Sequence, residues 1–454
     1  MTGGLRKLRD ALARRELTAR AAVEASLETI ARRDPTLCAF LTVSAESARA
    51  SADALDARKE IVGPLHGVPV AIKDLADTAG IRTTYGSMLY RDHIPETDDA
   101  VVERLKRAGA IIVGKTMTPE FGFGAVCVND LAGPTRNPFD PALTSGGSSG
   151  GAAVAVAAGM VTLAHGTDFG GSVRTPASFC GVAALRPTPG RLPNPARALG
   201  WDILATAGFI AGSVDDLALA IEATAGPDPR DPLSMRSFPP APSSARKPRV
   251  AWTEDFGVAP VARAVRVPFR TAVAKLERTF GAHAAHPDCA NAIETFHTLR
   301  PPLIRQAYLR HYRTHGEVLT RTVRWWIERG AETRAADWLA AEAERTALYR
   351  RFLAFFDEWD VLVAPAASVL PWPNDVGDVT EIDGETLPTL VDYLAVTFIV
   401  SLVGCPVVVV PAGRAANGLP VGIQLIGAPG KDAALLALAA QIEEACAFQR
   451  VEPP

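Results

Sequence analysis

A run of very small side chains, residues 150–160, lies between two glycine-dense segments that each contain a serine. The run consists almost wholly of Gly, Ala and Val, so a helix formed by it can approach a sheet closely. Residues 161–165 then have the character of a short buried strand, and a glycine-rich loop follows. A helix packed closely on a sheet, followed by a strand, restricts the chain to a layered α/β architecture.

Apolar patterning along the rest of the chain predicts the same architecture. Short buried strands are predicted at 68–72, 110–114, 249–252, 361–364, 407–410 and 421–426. Helices are predicted at 98–108, 173–179 and 431–448, over most of 300–351, and as a pair within 5–33 that is separated near Thr18. This alternation indicates an α/β protein with a large mixed β-sheet covered by helices on both faces.

Composition narrows the class of protein further. The 454 residues are 48% hydrophobic and 21% charged, which is typical of a globular protein with a sizeable core, and we expect one domain over 1–454. The net charge of −3 argues against a dedicated nucleic-acid binder. Six scattered cysteines without a C-x-x-C pair predict no metal site, and we expect no cofactor. Without an apolar leader or a run of 18 apolar residues, a cytoplasmic location and no membrane contact are expected.

Three familiar motifs occur without the context that each requires. V-A-I-K at 70–73 and D-F-G at 168–170 match protein kinases, but the glycine-rich loop and the H-R-D loop are missing. G-G-S-S-G at 146–150 fits the α/β-hydrolase nucleophile elbow, yet no histidine follows His315 to complete that triad. No G-x-x-x-x-G-K-[ST] loop is present, so phosphate binding is disfavoured as the main function.

Two serines and one lysine form a different constellation. Ser148 lies in T-S-G-G-S-S-G-G (144–151), Ser172 in G-T-D-F-G-G-S-V-R (166–174), and Lys73 at the end of an apolar strand. A serine is a weak nucleophile until a base takes its proton, and burial favours a neutral lysine that can do so. Taken alone, Lys73 is better explained as a structural lysine paired with Asp74. The two serine loops favour the catalytic alternative, which is acyl transfer to water.

Six segments are similar to those of the amidase signature family. They are P-L-H-G-V-P-V-A-I-K-D (64–74), G-P-T-R-N-P (133–138), G-G-S-S-G-G (146–151), G-T-D-F-G-G-S-V-R (166–174), F-C-G-V-A-A-L-R-P-T (179–188) and G-L-P-V-G-I-Q-L-I-G (418–427). The resemblance extends over nearly the whole chain, with its core motifs at 64–190 and its weakest part at about 225–360. It implies the amidase signature fold and an amidase that cleaves carbon–nitrogen bonds other than peptide bonds.

The resemblance also implies a Ser–cis-Ser–Lys triad. Ser172 corresponds to the nucleophile, Ser148 to a bridging serine that follows a cis peptide bond after Gly147, and Lys73 to the base. In such a site the proton would pass from Ser172 through Ser148 to Lys73 as Ser172 attacks a carbonyl carbon. Water would then release the acyl group by the same relay.

The loop before Ser172 supplies the remaining predicted site residues. At the start of a helix, backbone N–H groups can converge on a developing oxyanion, and the candidates are those of Phe169, Gly170, Gly171 and Ser172. Four further residues are expected to support the site. Ser149 would support Lys73, Thr167 and Asp168 would hold the loop by hydrogen bonds, and Arg174 would anchor it by an ion pair.

The substrate pocket is predicted from the resemblance and from aromatic residues in two regions of the chain. In the family, pocket walls come from the segment matching 119–129 and from the divergent region at about 225–360. The pocket candidates are Phe121, Gly122, Phe123, Gly124 and Cys127, with Tyr308, Trp325, Trp326 and Trp338 as further aromatics. An apolar pocket for aryl acylamides is predicted, with aryl carbamates (urethanes) and esters as further substrates; scattered core aromatics are the alternative explanation.

The predicted partners follow from this substrate class. We expect a small-molecule amide or carbamate, no nucleic acid, no membrane, and a monomer or homodimer. The alternative is the A subunit of a tRNA-dependent amidotransferase, which shares the fold and triad and works with a tRNA-binding partner. Against it, V-R-T-P at 173–176 differs from the glutamine-containing run usual in that protein. A non-catalytic binding protein is disfavoured because all three triad positions are intact.

Overall fold

A large mixed sheet organises the chain. The computed structural model describes residues 4–240 and 247–449, and within them eleven strands form this sheet in the order β1-β3-β2-β6-β8-β7-β14-β15-β11-β9-β10. The strands are β1 Phe40–Val43, β2 Pro69–Lys73, β3 Ile111–Thr116, β6 Leu163–Asp168, β7 Ala183–Arg186, β8 Thr206–Ala211, β9 Val250–Trp252, β10 His283–Ala284, β11 Val361–Pro365, β14 Val407–Arg414 and β15 Pro420–Ile426. Two small hairpins pair β4 Val128–Asn129 with β5 Gly133–Pro134, and β12 Glu381–Ile382 with β13 Glu385–Thr386.

Thirteen α-helices lie in the described residues. They are α1 Gly4–Ala13, α2 Ala19–Leu37, α3 Ala45–Asp56, α4 Ala100–Arg107, α5 Gly150–Ala157, α6 Arg174–Cys180, α7 Val214–Thr224, α8 Arg263–Phe280, α9 Ala292–His315, α10 Arg321–Arg329, α11 Ala335–Glu358, α12 Ala395–Leu402 and α13 Asp432–Cys446. Thr18 caps α2 as predicted, its hydroxyl accepting a hydrogen bond from the Ala21 amide at 3.1 Å. No helix in this part of the chain combines the length and apolarity needed to span a bilayer.

Alternating side chains of the central strands enter cores on opposite faces of the sheet. Along β2, Val70 and Ile72 join a core that includes residues of α4, α7 and α13, whereas Ala71 joins one formed with α2, α3 and α5. This two-residue alternation is the period of an extended strand, and each face is closed by helices. The predicted fold class is therefore confirmed.

The C-terminal end of β2 lies beside the middle of β6. The two strands are parallel, with Ile72 opposite His165, so Lys73 is level with the residues that follow His165. β6 continues to Asp168, three residues further than predicted, because it also pairs with antiparallel β8 as far as Thr206. The lysine and the glycine loop are thereby brought to one edge of the sheet.

The small-residue helix α5 approaches this edge as the sequence predicts. A Cβ atom on Gly151 would lie 2.5 Å from the carbonyl oxygen of Ala39 and 2.5 Å from the amide nitrogen of Met117. Only glycine fits between these backbone atoms, and the close approach fixes the residues just before the helix. The predicted surface connection at 227–247 lies partly outside the described residues, which stop at 240 and resume at 247.

Candidate active site

Lys73 is the centre of a buried polar cluster. Its side chain has no exposed surface, and its Nζ lies within hydrogen-bond distance of three hydroxyl oxygens: 2.7 Å from Ser148 Oγ, 2.9 Å from Ser149 Oγ and 2.9 Å from Thr167 Oγ1. Burial disfavours the ammonium form and lowers the pKa of Lys73 to about 7. Near neutral pH the amine can therefore accept a proton from one hydroxyl while donating to the others.

Ser148 and Ser149 reach Lys73 from the N-terminal end of α5. The Gly147–Ser148 peptide bond is cis, as the resemblance implied. A Cβ on Gly147 would lie 2.6 Å from the carbonyl oxygen of Gly124, so this turn requires glycine. Ser149 contacts Lys73, in keeping with its predicted supporting role. Thr167 was predicted only to hold the loop, but its hydroxyl also contacts Lys73.

The loop that carries Ser172 is held by Asp168. One carboxylate oxygen accepts from the Gly171 amide at 3.0 Å, and the other accepts from the Val173 amide at 3.1 Å. The Gly171 N–H therefore already donates a hydrogen bond to Asp168. The prediction that it contributes to the oxyanion hole differs from the structure. Within the described residues no acceptor is recorded for the amides of Phe169, Gly170 and Ser172, which remain the candidate oxyanion donors.

Two buried arginines neutralise Asp168. Arg174 Nη2 donates to Asp168 Oδ1 at 2.8 Å and Nε donates to Oδ2 at 3.1 Å, while Arg186 Nη1 lies 3.2 Å from Oδ1. Despite complete burial, which by itself would raise it, the pKa of Asp168 is held well below its ordinary value by Arg174 first and Arg186 second. Arg174 also donates to the Thr397 carbonyl and to Gln424, so it joins the loop to α12 and β15. Arg186 lies in the 179–188 motif, but the motif alone did not predict its place in this network.

Replacing Asp168 by asparagine is expected to destabilise the fold. The variant keeps the volume but leaves two buried guanidinium groups without their counter-charge, a change that costs about 3–5 kcal/mol in other proteins. Chemical unfolding midpoints measure the loss. The exposed Asp92→Asn variant, which removes only the surface ion pair with Arg91, is the control and should unfold like the wild type. Equal stability of Asp168→Asn and the wild type would contradict the network's structural role.

A cavity of about 480 Å³ lies next to the hydroxyl groups of this cluster and to Ser172. Ser148, Thr167 and Ser172 line it, and so do the predicted pocket residues Phe121, Gly122, Phe123 and Gly124, with Tyr308 and Trp326. Trp325 and Trp338 do not. The cavity is thus partly aromatic, in a size range suited to small ligands.

Cys127 does not line the cavity, so its assignment to the pocket is corrected. It is fully buried behind the Ser148 turn, with its Sγ 3.9 Å from the carbonyl oxygen of Ser148. A Cβ on Gly150 would lie 2.7 Å from the Cys127 Cβ, which shows how tightly this side chain packs under α5. Cys127 was assigned to the pocket because it is close in sequence to Phe121 and Phe123, but its side chain lies on the side of the turn that faces away from the cavity.

Several lining residues were missed by sequence analysis. Arg300, Asp378 and Tyr393 border the cavity, as does the segment at 193–199. His165 stands where the resembling family has an apolar residue, which predicts an effect on the acyl side of the site; its buried ring borders the cavity and both of its nitrogens lack a partner. Burial first, then Lys73 and Lys115, lower the pKa of His165 to about 3, so it is neutral at physiological pH.

The lysine's lowered pKa gives a testable pH dependence. The neutral amine is the form that can accept a proton, and its fraction grows as pH rises through about 7. We expect the rate of Ser172 acylation by a fluorophosphonate to rise tenfold per pH unit below that value and to level off above it. Labelling rates between pH 5.5 and 9 measure this, with far-UV circular dichroism as a check on folding. A flat profile, or one that falls with pH, would contradict the assignment of Lys73 as base.

Comparison with known proteins identifies the family. The profile of the family described as Amidase matches residues 21–436, and the chain therefore belongs to the amidase signature family. A bacterial aryl acylamidase of that family superposes with a TM-score of 0.90, at 29% identity, over 98% of this chain and 96% of the other. A chain from a vestigial protein complex bearing on the origins of an s-triazine catabolic enzyme superposes with a TM-score of 0.88, at 31% identity and 99% coverage of both chains.

Curated relatives are named as subunits of an amidotransferase and not as aryl acylamidases. The A subunit of glutamyl-tRNA(Gln) amidotransferase from Moorella thermoacetica is 35% identical over 482 residues, covering 98% of this chain and 97% of the relative. A relative from Chloroflexus aurantiacus with the same name is 36% identical and covers 94% of this chain and 93% of the relative. The prediction that the chain acts on a small-molecule amide or carbamate alone, without nucleic acid and as a monomer or homodimer, is therefore wrong, because these relatives are subunits of an enzyme that acts on a tRNA.

Proposed function

We propose that the chain is the amide-cleaving component of an amidotransferase. Ser172 takes the acyl group of an amide donor, and the released nitrogen passes to an acceptor presented by further subunits. The observation that carries the chemistry is the buried contact of Lys73 Nζ with Ser148 Oγ at 2.7 Å, beside the cavity that Ser172 lines. The role within a complex is supported by the relatives named as the A subunit of glutamyl-tRNA(Gln) amidotransferase.

Each step of the cleavage has a candidate group. Neutral Lys73 accepts the Ser148 proton while Ser148 accepts that of Ser172, whose oxygen bonds to the donor's carbonyl carbon. The oxyanion faces the amides of the 169–172 loop other than that of Gly171. As the carbon–nitrogen bond breaks, the proton returns through Ser148 to the leaving nitrogen. Water then attacks the acyl-enzyme by the same relay and restores the Ser172 hydroxyl.

Reconstitution tests the role within a complex. The purified chain would be combined with the remaining amidotransferase subunits from the same genome, glutamyl-tRNA(Gln) and glutamine as the donor. The expected result is glutaminyl-tRNA that depends on both this chain and intact Ser172. An otherwise complete mixture that gives no glutaminyl-tRNA, although Ser172 labels normally, would overturn the amidotransferase role and leave the acyl-enzyme chemistry standing.

A second candidate is cleavage of aryl acylamides by the same triad. The aromatic side chains of Phe121, Phe123, Tyr308 and Trp326 at the cavity favour it, because aromatic walls suit a flat aryl group. Turnover of an aryl acylamide and of the matched aryl carbamate by the chain alone tests this candidate. Comparable rates would support a broad acyl pocket with urethane-cleaving activity, turnover of the amide alone would restrict the activity to acylamides, and no turnover of either would remove this candidate.

A further inference from the structure

His165 is a polar side chain at a core position of β6. In the strand pairing it lies opposite Ile72 of β2 and Phe209 of β8, and both of these belong to the core that includes residues of α4, α7 and α13. Leu163, two residues earlier on β6, belongs to the same core. Because side chains two positions apart on a strand share a face, His165 lies on this side of the sheet too. The resembling family has an apolar residue here, so the histidine is a feature of this chain that the fold does not require.

The imidazole has no partner in the described part of the chain. Only 2% of the His165 surface is exposed, and neither ring nitrogen makes a hydrogen bond within residues 4–240 and 247–449. Burial first, then Lys73 and Lys115, lower its pKa to about 3, so the ring is neutral and carries one N–H donor and one acceptor nitrogen. Leaving a buried donor unpaired costs free energy. Because the ring borders the cavity, a ligand in the cavity can pair it.

The cavity wall around His165 differs from the aromatic wall. Ala76 and Ala207 line the cavity and belong to the core that His165 faces. Phe121 and Trp326 also line the cavity, but they belong to a separate cluster. The end of the cavity next to His165 therefore has small aliphatic walls, which suit a narrow, unbranched chain better than a flat ring.

Strand geometry gives the distance between His165 and the hydroxyl cluster. Thr167, two residues further along β6, has its hydroxyl oxygen 2.9 Å from Lys73 Nζ. Two residues of an extended strand span roughly 7 Å, and their side chains share a face. A hydrogen bond takes up about 2.9 Å of this spacing. The remainder fits a short acyl chain whose carbonyl lies at the cluster and whose outer end reaches the imidazole.

We propose that His165 forms an acyl-side subsite that donates a hydrogen bond to an uncharged oxygen in the acyl group of the substrate. The proposal rests on the amide cleavage proposed above and names a substrate class for the acylamide candidate: amides whose acyl chain carries an ether or hydroxyl oxygen. The aliphatic wall holds the chain, and the N–H fixes its oxygen, which orients the carbonyl carbon relative to Ser172. His165 is then a specificity-determining residue, because an apolar side chain at this position cannot make the bond.

A trapped water molecule provides the competing explanation. If water alone satisfied the ring nitrogens, His165 would contribute to the stability of the fold and not to the choice of acyl group. Two variants separate these roles. His165→Leu removes the donor and introduces an apolar side chain, whereas His165→Gln keeps an uncharged donor at the same position. A change in unfolding midpoint with an unchanged choice of acyl group would therefore overturn the subsite.

The experiment uses pairs of nitroanilides in which an ether oxygen replaces one methylene group. The pairs are methoxyacetyl with butanoyl, methoxypropanoyl with pentanoyl, and methoxybutanoyl with hexanoyl, so that chain length locates the oxygen. For the best pair, the wild type is expected to show a kcat/KM about tenfold higher for the ether, the size of one hydrogen bond. His165→Leu should lose this preference and His165→Gln should keep part of it. The effect of the oxygen on carbonyl reactivity is common to all variants, so the ratio is compared between variants.

A second buried histidine gives the matched control. His66 is 7% exposed, its Nδ1 accepts a hydrogen bond from the Val62 amide at 3.2 Å, and it does not line the cavity. His66→Leu should leave the ratio between ether and alkyl substrates as it is in the wild type. A ratio that falls equally in His66→Leu and His165→Leu would overturn the subsite, because the loss would then follow from a general effect on folding.

Labelling of Ser172 supplies a readout that does not depend on turnover. A fluorophosphonate with a methoxyethyl group on phosphorus would be compared with its butyl counterpart, which has a methylene group in place of the oxygen. The ether reagent is expected to label the wild type faster, and His165→Leu should lose the difference. If the anilides are not turned over, this ratio alone decides, and the same ratio in wild type and His165→Leu would overturn the subsite. Failure of the wild type to label at Ser172 with either reagent would instead overturn the proposed amide cleavage, so the two failures are distinguishable.

Discussion

Replacing Ser172 by alanine is expected to abolish both amide turnover and covalent labelling by a fluorophosphonate. The substitution removes the one atom that we propose bonds to the donor's carbonyl carbon, and loss of a serine nucleophile costs on the order of 10⁶-fold in turnover. No hydrogen bond of the Ser172 hydroxyl is recorded within the described residues, so the fold should be unaffected. Ammonia release from a carboxamide and gel detection of the label measure the two effects.

A buried serine elsewhere gives the matched control. Ser26 is fully buried on α2 and its hydroxyl donates to the Met160 carbonyl at 2.6 Å, away from the cavity. Ser26→Ala should lose some stability and keep normal labelling. Substantial labelling or turnover in Ser172→Ala, with the unfolding midpoint unchanged, would show that another residue is the nucleophile.

Replacing Lys73 by methionine is expected to lower amide turnover by about 10²- to 10⁴-fold, the contribution typical of a general base. Methionine keeps much of the side-chain volume at the end of β2 and removes the amine that contacts Ser148, Ser149 and Thr167. Fluorophosphonate labelling of Ser172 should slow in parallel, because the proposed base would activate the proposed nucleophile in both reactions. Single-turnover rates at pH 8 measure the loss.

Two further lysine variants separate catalysis from packing. Lys73→Arg keeps a positive charge that cannot be lost near neutral pH, so it should be as inactive as the methionine variant. Lys115, on β3, is also fully buried and donates to the Ala76 carbonyl and to Thr83 Oγ1. Lys115→Met should destabilise the fold while the remaining activity keeps its pH profile. Wild-type activity in Lys73→Arg would contradict the proton-relay role.

Local patterning predicted much of the sheet but not its order. β2, β14 and β15 begin within one residue of their predicted positions, because Val- and Ile-rich runs identify buried strands. β7 and β8 were missed, since A-A-L-R and T-A-G-F-I-A have too few β-branched residues to stand out. β8 nevertheless lies between β6 and β7, and this insertion is set by packing across the sheet, not by neighbouring sequence.

Some residues of the candidate site could be predicted from the sequence and others could not. Lys73, Ser148 and Ser172 were predicted from motifs whose glycines are required by close backbone contacts, such as Gly147 against Gly124. Arg300 and Tyr393 could not be predicted, because each is one ordinary residue in a helical or loop segment more than 100 positions from Ser172. Only the folded chain shows that both are buried, unpaired and on the cavity wall. The catalytic roles of the triad stay predictions until they are measured.

Mapping the covalent adduct by peptide mass spectrometry tests the central claim most directly. The wild-type chain would be treated with a fluorophosphonate at pH 8 and digested, and the modified serine located by fragmentation. We expect one adduct, on Ser172, with Ser148 and Ser149 unmodified although both lie within hydrogen-bond distance of Lys73 Nζ. An adduct on Ser148 or Ser149, or an unmodified Ser172 in folded protein, would contradict it.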